Sequence, residues 1–246
     1  MHGLVEEWCA DWYGPYPSSE QKDPTGALKG YARVTRGGSH STGLPFLRSA
    51  NRLGALPETR SFLIGFRVVK AENPKPNPNA TSVTAKWATG VKQNKLNWKK
   101  YKVAKDVPVF ETPKTYTRFP KGSNGPIYLI HNHEPALSVM PNGDLFAIWF
   151  TTTIERGREM VVAASRLRHG AKEWDEADLF FKVPDRNHTG QALWWDGDKT
   201  IFHFSGVGSA DDWKKLTIVM RTSTDNGVTW TQPEIIGHEY RRNSKR

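Results

Sequence analysis

Ser223-Thr-Asp-Asn-Gly-Val-Thr-Trp230 is the stretch whose reading decides the fold. Leu216 to Thr222, just before it, is a run of β-branched and apolar residues, the composition of a strand. Asp225-Asn226-Gly227 is turn chemistry, because Asp and Asn side chains bond their own backbone and Gly accepts a positive φ without steric cost. Trp230 then returns to cover the hairpin. A bare hairpin with Asp-Asn-Gly at its tip is the simpler alternative. The spacing of Ser223, Asp225, Gly227 and Trp230 exceeds what such a hairpin needs.

Working outward, short strands recur. Residues 135–140, 144–151, 158–165 and 178–183 form one set of four, and 190–195, 199–204, 216–223 and 233–236 a second. Asn142-Gly143-Asp144 returns as Asp196-Gly197-Asp198, 54 residues later, and Trp174 returns as Trp230, 56 residues later. A four-strand unit with that period is the signature of β-propeller blades. The segment containing Ser165, Gly170 and Trp174 reads as a stretched counterpart of the 223–230 motif. Two blades are expected. Propellers close with about four to eight, so the face of the second blade is expected to lie open and to drive self-association along exposed edges.

The remainder of the chain differs in kind. Up to residue 70 it is rich in Gly, Pro and Trp, with few long apolar runs. Residues 71–121 then form a Pro- and Asn-containing connector. From Lys70 to Lys121 eleven lysines and Arg118 face only Glu72, Asp106 and Glu111, which is nearly the whole of the formal charge of +10. No aromatic stacking platform accompanies this charge, so it reads as a solvated basic linker, separate from both halves, rather than a nucleic-acid site. Trp87, Trp98 and Tyr101 are the residues that could pin it to a neighbouring domain. No run of about 18 apolar residues exists to span a membrane, and residues 1–7 lack the basic and apolar regions of a signal peptide. Cys9 is the single cysteine, which excludes an internal disulfide and any cysteine-based metal cluster. The expected organisation is therefore residues 1–70, a linker over 71–121, and blades over 122–246.

Two family resemblances attach to these residues. The 223–230 motif fits the Asp-box of sialidases and related propellers at every specified position, and roughly residues 124–237 resemble the N-terminal blades of sialidase-type glycoside hydrolases. In that family the Asp-box is a structural staple without chemistry. The first half resembles the C-terminal third of the formylglycine-generating, or sulfatase-modifying factor, domain. The carrying motifs are Glu7-Trp8-Cys9-Ala10-Asp11-Trp12-Tyr13-Gly14-Pro15-Tyr16, Asp23-Pro24-Thr25-Gly26, Arg33-Val34-Thr35-Arg36-Gly37-Gly38-Ser39, Leu47-Arg48-Ser49-Ala50-Asn51-Arg52 and Gly65-Phe66-Arg67-Val68-Val69. The implied fold is mainly β: a partial sulfatase-modifying-factor fragment, C-type-lectin-like and irregular α+β, followed by about two four-stranded propeller blades. In that family Met-His-Gly-Asn-Val-Trp-Glu-Trp lies mid-domain, so the resemblance implies that Met1 is internal and that both domains continue beyond this chain.

The resemblances also imply sites. Formylglycine-generating enzymes oxidise a substrate cysteine through a copper-binding cysteine pair shortly after Arg-Gly-Gly-Ser, and thiolate softness selects Cu(I). Here that stretch is Ser39 to Leu47, without cysteine, so neither copper nor that activity is expected. Arg48, Arg52 and Arg67 read as internal ion-pairing and hydrogen-bonding residues. Glu7 matches the family's calcium-binding Glu, but Leu4 stands in place of the Asn; a possible calcium at Glu7 competes with a plain surface Glu. Sialidases open with Arg-Ile-Pro-Ala-Leu, whose Arg clamps the substrate carboxylate. This chain has His133-Glu134-Pro135-Ala136-Leu137, and a neutral imidazole lacks the bidentate guanidinium fork. The family's acid/base carboxyl sits in the loop read here as 153–159, so Glu155 is the acid/base candidate, with Arg156 or Arg158 as substrate clamp. His131, Asn132, His133 and Glu134 on blade one, and Asp185, Arg186, Asn187 and His188 on blade two, form a candidate substrate rim; ordinary polar turn chemistry is the alternative. Trp149, Trp194 and Trp195 are candidate sugar platforms, but their place in continuous apolar runs favours blade core.

Two functions are carried forward. One is a truncated sialidase-like protein of glycoside hydrolase chemistry, inactive as this chain because the late-blade nucleophile is absent. The other is a non-catalytic carbohydrate- or protein-binding propeller module beside a scaffold-only sulfatase-modifying-factor-like domain. The expected partner is a glycan or glycoconjugate, and the resemblance places the full-length protein in an extracellular or periplasmic setting.

Overall fold

Four short strands build the first sheet: β1 (Glu6–Trp12), β2 (Arg33–Arg36), β3 (Leu53–Ala55) and β4 (Ile64–Gly65). Their order is β3-β2-β1-β4, with β1 antiparallel to β2 and parallel to β4. The computed structural model describes the chain except residues 1, 2, 18, 71, 73–83, 102–111, 114, 116, 124–126, 156, 209–215 and 241–246. Among the described residues the only helical pieces are single 3-10 turns at Leu44–Phe46, Lys86–Ala88 and Trp98–Lys100.

The eight strands expected from the sequence are present. The first blade comprises β5 (His131–Val139), β6 (Leu145–Thr152), β7 (Val161–Leu167) and β8 (Asp178–Phe181), antiparallel in that order. The second comprises β9 (His188–Trp195), β10 (Ile201–Gly208), β11 (Leu216–Ser223) and β12 (Glu234–Tyr240), again in meander order. The innermost strands, β5 and β9, lie side by side, as neighbouring blades of a propeller do.

The two faces of β6 decide the packing. Phe146, Ile148 and Phe150 alternate with Ala147 and Trp149, and all five are buried, so the strand is covered on both sides. Phe146 and Ile148 join Val162, Phe180, Ile201 and Val219 in a core between the blades. Ala147 and Trp149 join Val161, Ala163 and Trp174 in a second cluster on the far side, covered by Phe119 and Ile127. Trp230 enters the core between the blades, with its ring 5.2 Å from Phe180. Trp174 and Trp230 thus hold equivalent places in successive blades. Among the described residues, none covers the far face of blade two in this way. Trp194 is 55% exposed, Ile236 is 51% exposed, and Phe202 and Phe204 are half-buried.

The conformational separateness expected of the connector does not hold over residues 84–101. Trp87 is buried in the core between the blades and packs edge-on against Phe146 and Phe180 at 5.5 and 5.4 Å, while its indole N–H donates to Leu179 O at 3.0 Å. Trp98 rests on Trp195, and Tyr101 lies beside His169. The lysines of this stretch stay at the surface, and its aromatic rings carry it onto the blades. Arg166, fully buried on β7, completes the join. It donates to Trp87 O at 2.9 Å, to Asp144 Oδ2 at 3.1 Å and to Asn226 O at 2.8 Å. One guanidinium therefore ties the connector, blade one and the turn of blade two. Burial lowers its pKa to about 10, against the opposing pull of Asp144, so it remains a cation at neutral pH.

Candidate functional site

The 223–230 motif acts as a staple. Asp225 accepts from Ser223 Oγ at 2.7 Å, Val228 N at 3.1 Å, Thr229 N at 2.9 Å and Thr229 Oγ1 at 2.6 Å. Burial would raise its pKa, but these bonds outweigh it and hold the carboxyl ionised below the usual range. Gly227 donates to Ser223 Oγ at 3.0 Å from a backbone at φ 75°, where a side chain would be strained. Asn226, unspecified in the motif, extends the staple to blade one: its Oδ1 accepts from Asn142 N at 2.9 Å.

At the opposite end of the blades lie the loops that follow β6 and β8, where the acid/base and clamp residues were expected. Glu155 is exposed, and its backbone carbonyl accepts from Asn187 Nδ2 at 3.4 Å. Arg156 falls outside the described residues. Arg158 is buried, 3.6 Å from Asp185 Oδ2 and 4.1 Å over the Phe46 ring. Arg186 is buried and makes a two-pronged pair with Glu6, Nη2 to Oε2 at 2.7 Å and Nη1 to Oε1 at 3.2 Å, while its Nε donates to Gly54 O at 2.8 Å. Thr35 Oγ1 donates to the same Glu6 oxygen at 2.7 Å. Arg158, one of the two expected clamp residues, and Arg186 of the expected rim therefore face inward and are engaged by protein groups.

The covering element is the N-terminal sheet. Gly54 N donates to Pro184 O at 2.9 Å, and a Cβ on Gly54 would meet Pro184 Cδ at 2.7 Å, so only glycine allows this approach. Tyr31 donates to Lys182 O, and burial raises the phenol's pKa. Burial likewise raises the pKa of Asp185, although Arg158, Lys182 and Arg186 pull it down, and lowers that of Lys182. The two halves, which share no sequence pattern, meet across a buried polar seam.

The rest of the expected rim divides in two. His188 is fully buried. Its Nε2 accepts from Val183 N at 2.9 Å, and burial lowers its pKa to about 3, so it is neutral and structural. His203 is buried too, with Nε2 3.0 Å from Gln191 Oε1 and a pKa driven well below the usual histidine value by burial and then by Arg221. Glu134 sits at φ 50° in a β-bulge, and its Oε2 accepts from Thr189 Oγ1 at 2.8 Å and Gly190 N at 2.6 Å. It clasps β5 to β9. His133 is exposed, stacked edge-on against Phe150 at 5.5 Å, with His131 5.9 Å away. Of the aromatic candidates, Trp149 is core, donating to Asn132 Oδ1 at 2.8 Å, and Trp194 lies on the open far face.

Sequence reading did not single out Glu6 or Glu159, and it read Asn226 as turn chemistry without its bond to blade one. Glu159 Oε1 accepts from Thr152 Oγ1 at 2.9 Å, Thr153 N at 3.0 Å and the Thr153 hydroxyl. Burial opposes ionisation, but those bonds prevail and lower its pKa, so it is an ionised loop brace. The signal for Glu6 was present: it stands where the resembled segment carries a Trp, and an acid in an apolar place needs a buried cation. Glu7 is taken by Arg67, with Nη2 to Oε2 at 2.6 Å. Among the described residues no group of three His, Cys, Asp or Glu is placed to hold a metal ion. Cys9 is half-buried, and burial followed by Asp11 raises its pKa, so it stays a thiol at neutral pH.

Comparison with known proteins accords with this division. Residues 1–72 match the sulfatase-modifying factor enzyme 1-like domain, and residues 143–243 match the BNR repeat-like domain. Over 70 residues the chain is 43% identical to the formylglycine-generating enzyme of Streptomyces coelicolor, covering 26% of this chain and 22% of that enzyme. It is 38% identical over 77 residues to the serine/threonine-protein kinase pkn1 of Chlamydia pneumoniae, covering 30% of this chain and 12% of the kinase. The pkn1 kinase of Chlamydia caviae is 38% identical over 74 residues, again 12% of its length. The chain is thus a sulfatase-modifying-factor-like segment joined to a β-rich BNR repeat-like segment.

Proposed function

We propose that this chain is a non-catalytic, glycan-directed binding scaffold, in which the sulfatase-modifying-factor-like segment braces the blade loops. The carrying observation is the Glu6–Thr35–Arg186 cluster. A guanidinium paired at 2.7 Å to a buried carboxylate has its fork filled and cannot also grip a substrate carboxylate. Arg158 beside Asp185 and the half-buried thiol of Cys9 support the same reading. Glycans follow from the kinship of BNR repeats with sialidase-like blades, and the exposed His133 supplies a polar donor there. The test combines a fluorogenic sialoside with immobilised glycans of varied acidity. Retention of the chain on at least one glycan without turnover is the expected result; turnover removed by Glu155→Gln would refute it. The exposed carboxyl of Glu155 is the one observation that favours the hydrolase reading.

A further inference from the structure

On the staple side of the blades, away from the N-terminal sheet, a cavity of about 290 Å³ lies between the turn after β5, the turn after β7 and residues 89–94. Lys92, Asn94, Asn142, Asp144, Arg168 and His169 line it, and among the described residues no large apolar side chain does. Its walls are held in place by hydrogen bonds. Asn142 Nδ2 donates to Lys92 O at 2.9 Å, Asn226 Nδ2 donates to the same oxygen at 3.3 Å, and Arg168 Nη2 donates to Thr89 O at 2.8 Å. The space is many times that of one water and close to the lower limit of about 300 Å³ for small-molecule pockets.

The charges in the wall do not cancel. Asp144, the only carboxylate in the lining, accepts from Arg166 Nη1 at 3.1 Å, Asn142 Nδ2 at 3.0 Å and His169 N at 2.8 Å. Its charge is spent on the guanidinium buried beside it. Arg168 shares its charge with Asp175 at 2.7 Å, but its Nη1 has no partner among the described residues. The Lys92 ammonium has no carboxylate within ion-pairing distance among the described residues. An uncompensated cation, a spare guanidinium edge and an amide around one polar cavity form an oxyanion environment.

We propose that this cavity binds a small oxyanion, a phosphate, sulfate or carboxylate group, with Lys92 supplying the charge and Arg168 and Asn94 the flanking donors. The anion is either free or carried on a body no larger than a monosaccharide. The site is independent of the blade end considered above, so it stands or falls separately from the glycan-binding reading.

Calorimetric titration of the full chain with sodium phosphate, a hexose 6-phosphate and the neutral hexose, at constant ionic strength, tests it. Both phosphates are expected to bind and the hexose not. Tighter binding of the hexose phosphate identifies a sugar-borne anion, and equal binding a free one. Lys92→Ala keeps the backbone carbonyl that Asn142 and Asn226 use, and is expected to weaken binding about tenfold or more. Lys92→Arg restores it, and Lys22→Ala, which removes the same charge from a distant exposed position, leaves it unchanged. The proposal is overturned if neither phosphate binds at about 10 mM, well above ordinary metabolite-site affinities. It is equally overturned if Lys22→Ala weakens binding as much as Lys92→Ala, or if the neutral hexose binds as well as its phosphate.

Discussion

Replacing Glu6 with Gln removes one charge from the seam between the two halves and leaves its shape. Glu6 is 1% exposed and Arg186 is 5% exposed, so solvent cannot replace the missing counter-ion. The guanidinium would retain Gly54 O at 2.8 Å and one bond to the amide oxygen, and would lose the other of its two carboxylate bonds, now at 2.7 and 3.2 Å, to an opposed NH2 group. Breaking a buried ion pair from one side costs about 3–5 kcal/mol, because the other charge is stranded. Removing both charges, with Glu6→Leu and Arg186→Met, strands neither. That double variant forfeits the bond from Arg186 to Gly54 O and the bond from Thr35 Oγ1 to Glu6, roughly 1 kcal/mol each, and is expected to lose less than Glu6→Gln alone. Urea unfolding followed by tryptophan fluorescence of Glu6→Gln, Glu6→Leu, Arg186→Met and the double variant gives the four losses, and trypsin sensitivity of residues 1–70 reports whether the seam has opened. Two results would refute the reasoning. One is a Glu6→Gln loss below about 1 kcal/mol, the ordinary value of a surface pair; the other is a double variant whose loss equals the sum of the two single variants.

Three further outcomes are expected. His188 and His203 are neutral in the fold, because burial lowers both pKa values, and they take protons near pH 6.5 when unfolded. The unfolded state therefore binds more protons between pH 7 and 5, and unfolding free energy should fall by about 4 kcal/mol over that interval for two such sites. Burial-raised Asp185 works in the opposite sense at lower pH. Urea melts at pH 7 and pH 5 check this; His203→Gln should halve the slope, and equal stability at both pH values would contradict it. Trp87→Ala should cost about 3–5 kcal/mol, since the ring fills the core between the blades; a loss under about 1 kcal/mol in the same melts would mean that residues 84–101 are not docked. The open face of blade two should self-associate through Trp194 and Ile236. Sedimentation velocity should show oligomers that Trp194→Lys with Ile236→Lys disperses, and a monodisperse unmodified chain would count against that reading.

The sequence by itself determined the strands and the staple. Alternation and turn chemistry are local, so Leu216–Ser223 is found where its residues predict it, and Asp225 bonds the neighbours that its spacing supplies. The strand edges at 131 and 188 were missed by two to four residues, because positive φ at Glu134 and Asp185 reshapes the start of each innermost strand. Only the tertiary structure decided what the polar residues do. Arg158 was expected as a substrate clamp and Arg186, His188 and Glu134 at a substrate rim, and each is engaged inside the protein, with Asp185, Glu6, Val183 and Thr189 respectively. Spacing along a chain states which groups can meet in one strand or turn. It does not state that a carboxylate at position 6 will reach a guanidinium at 186, since that pairing depends on how two separately patterned sheets dock. The connector shows the same limit. Its charge predicted solvation of the whole segment and its aromatics offered pins at Trp87, Trp98 and Tyr101; the burial of the Trp87 indole against aromatic neighbours from 146 and 180 decided between the two for residues 84–101.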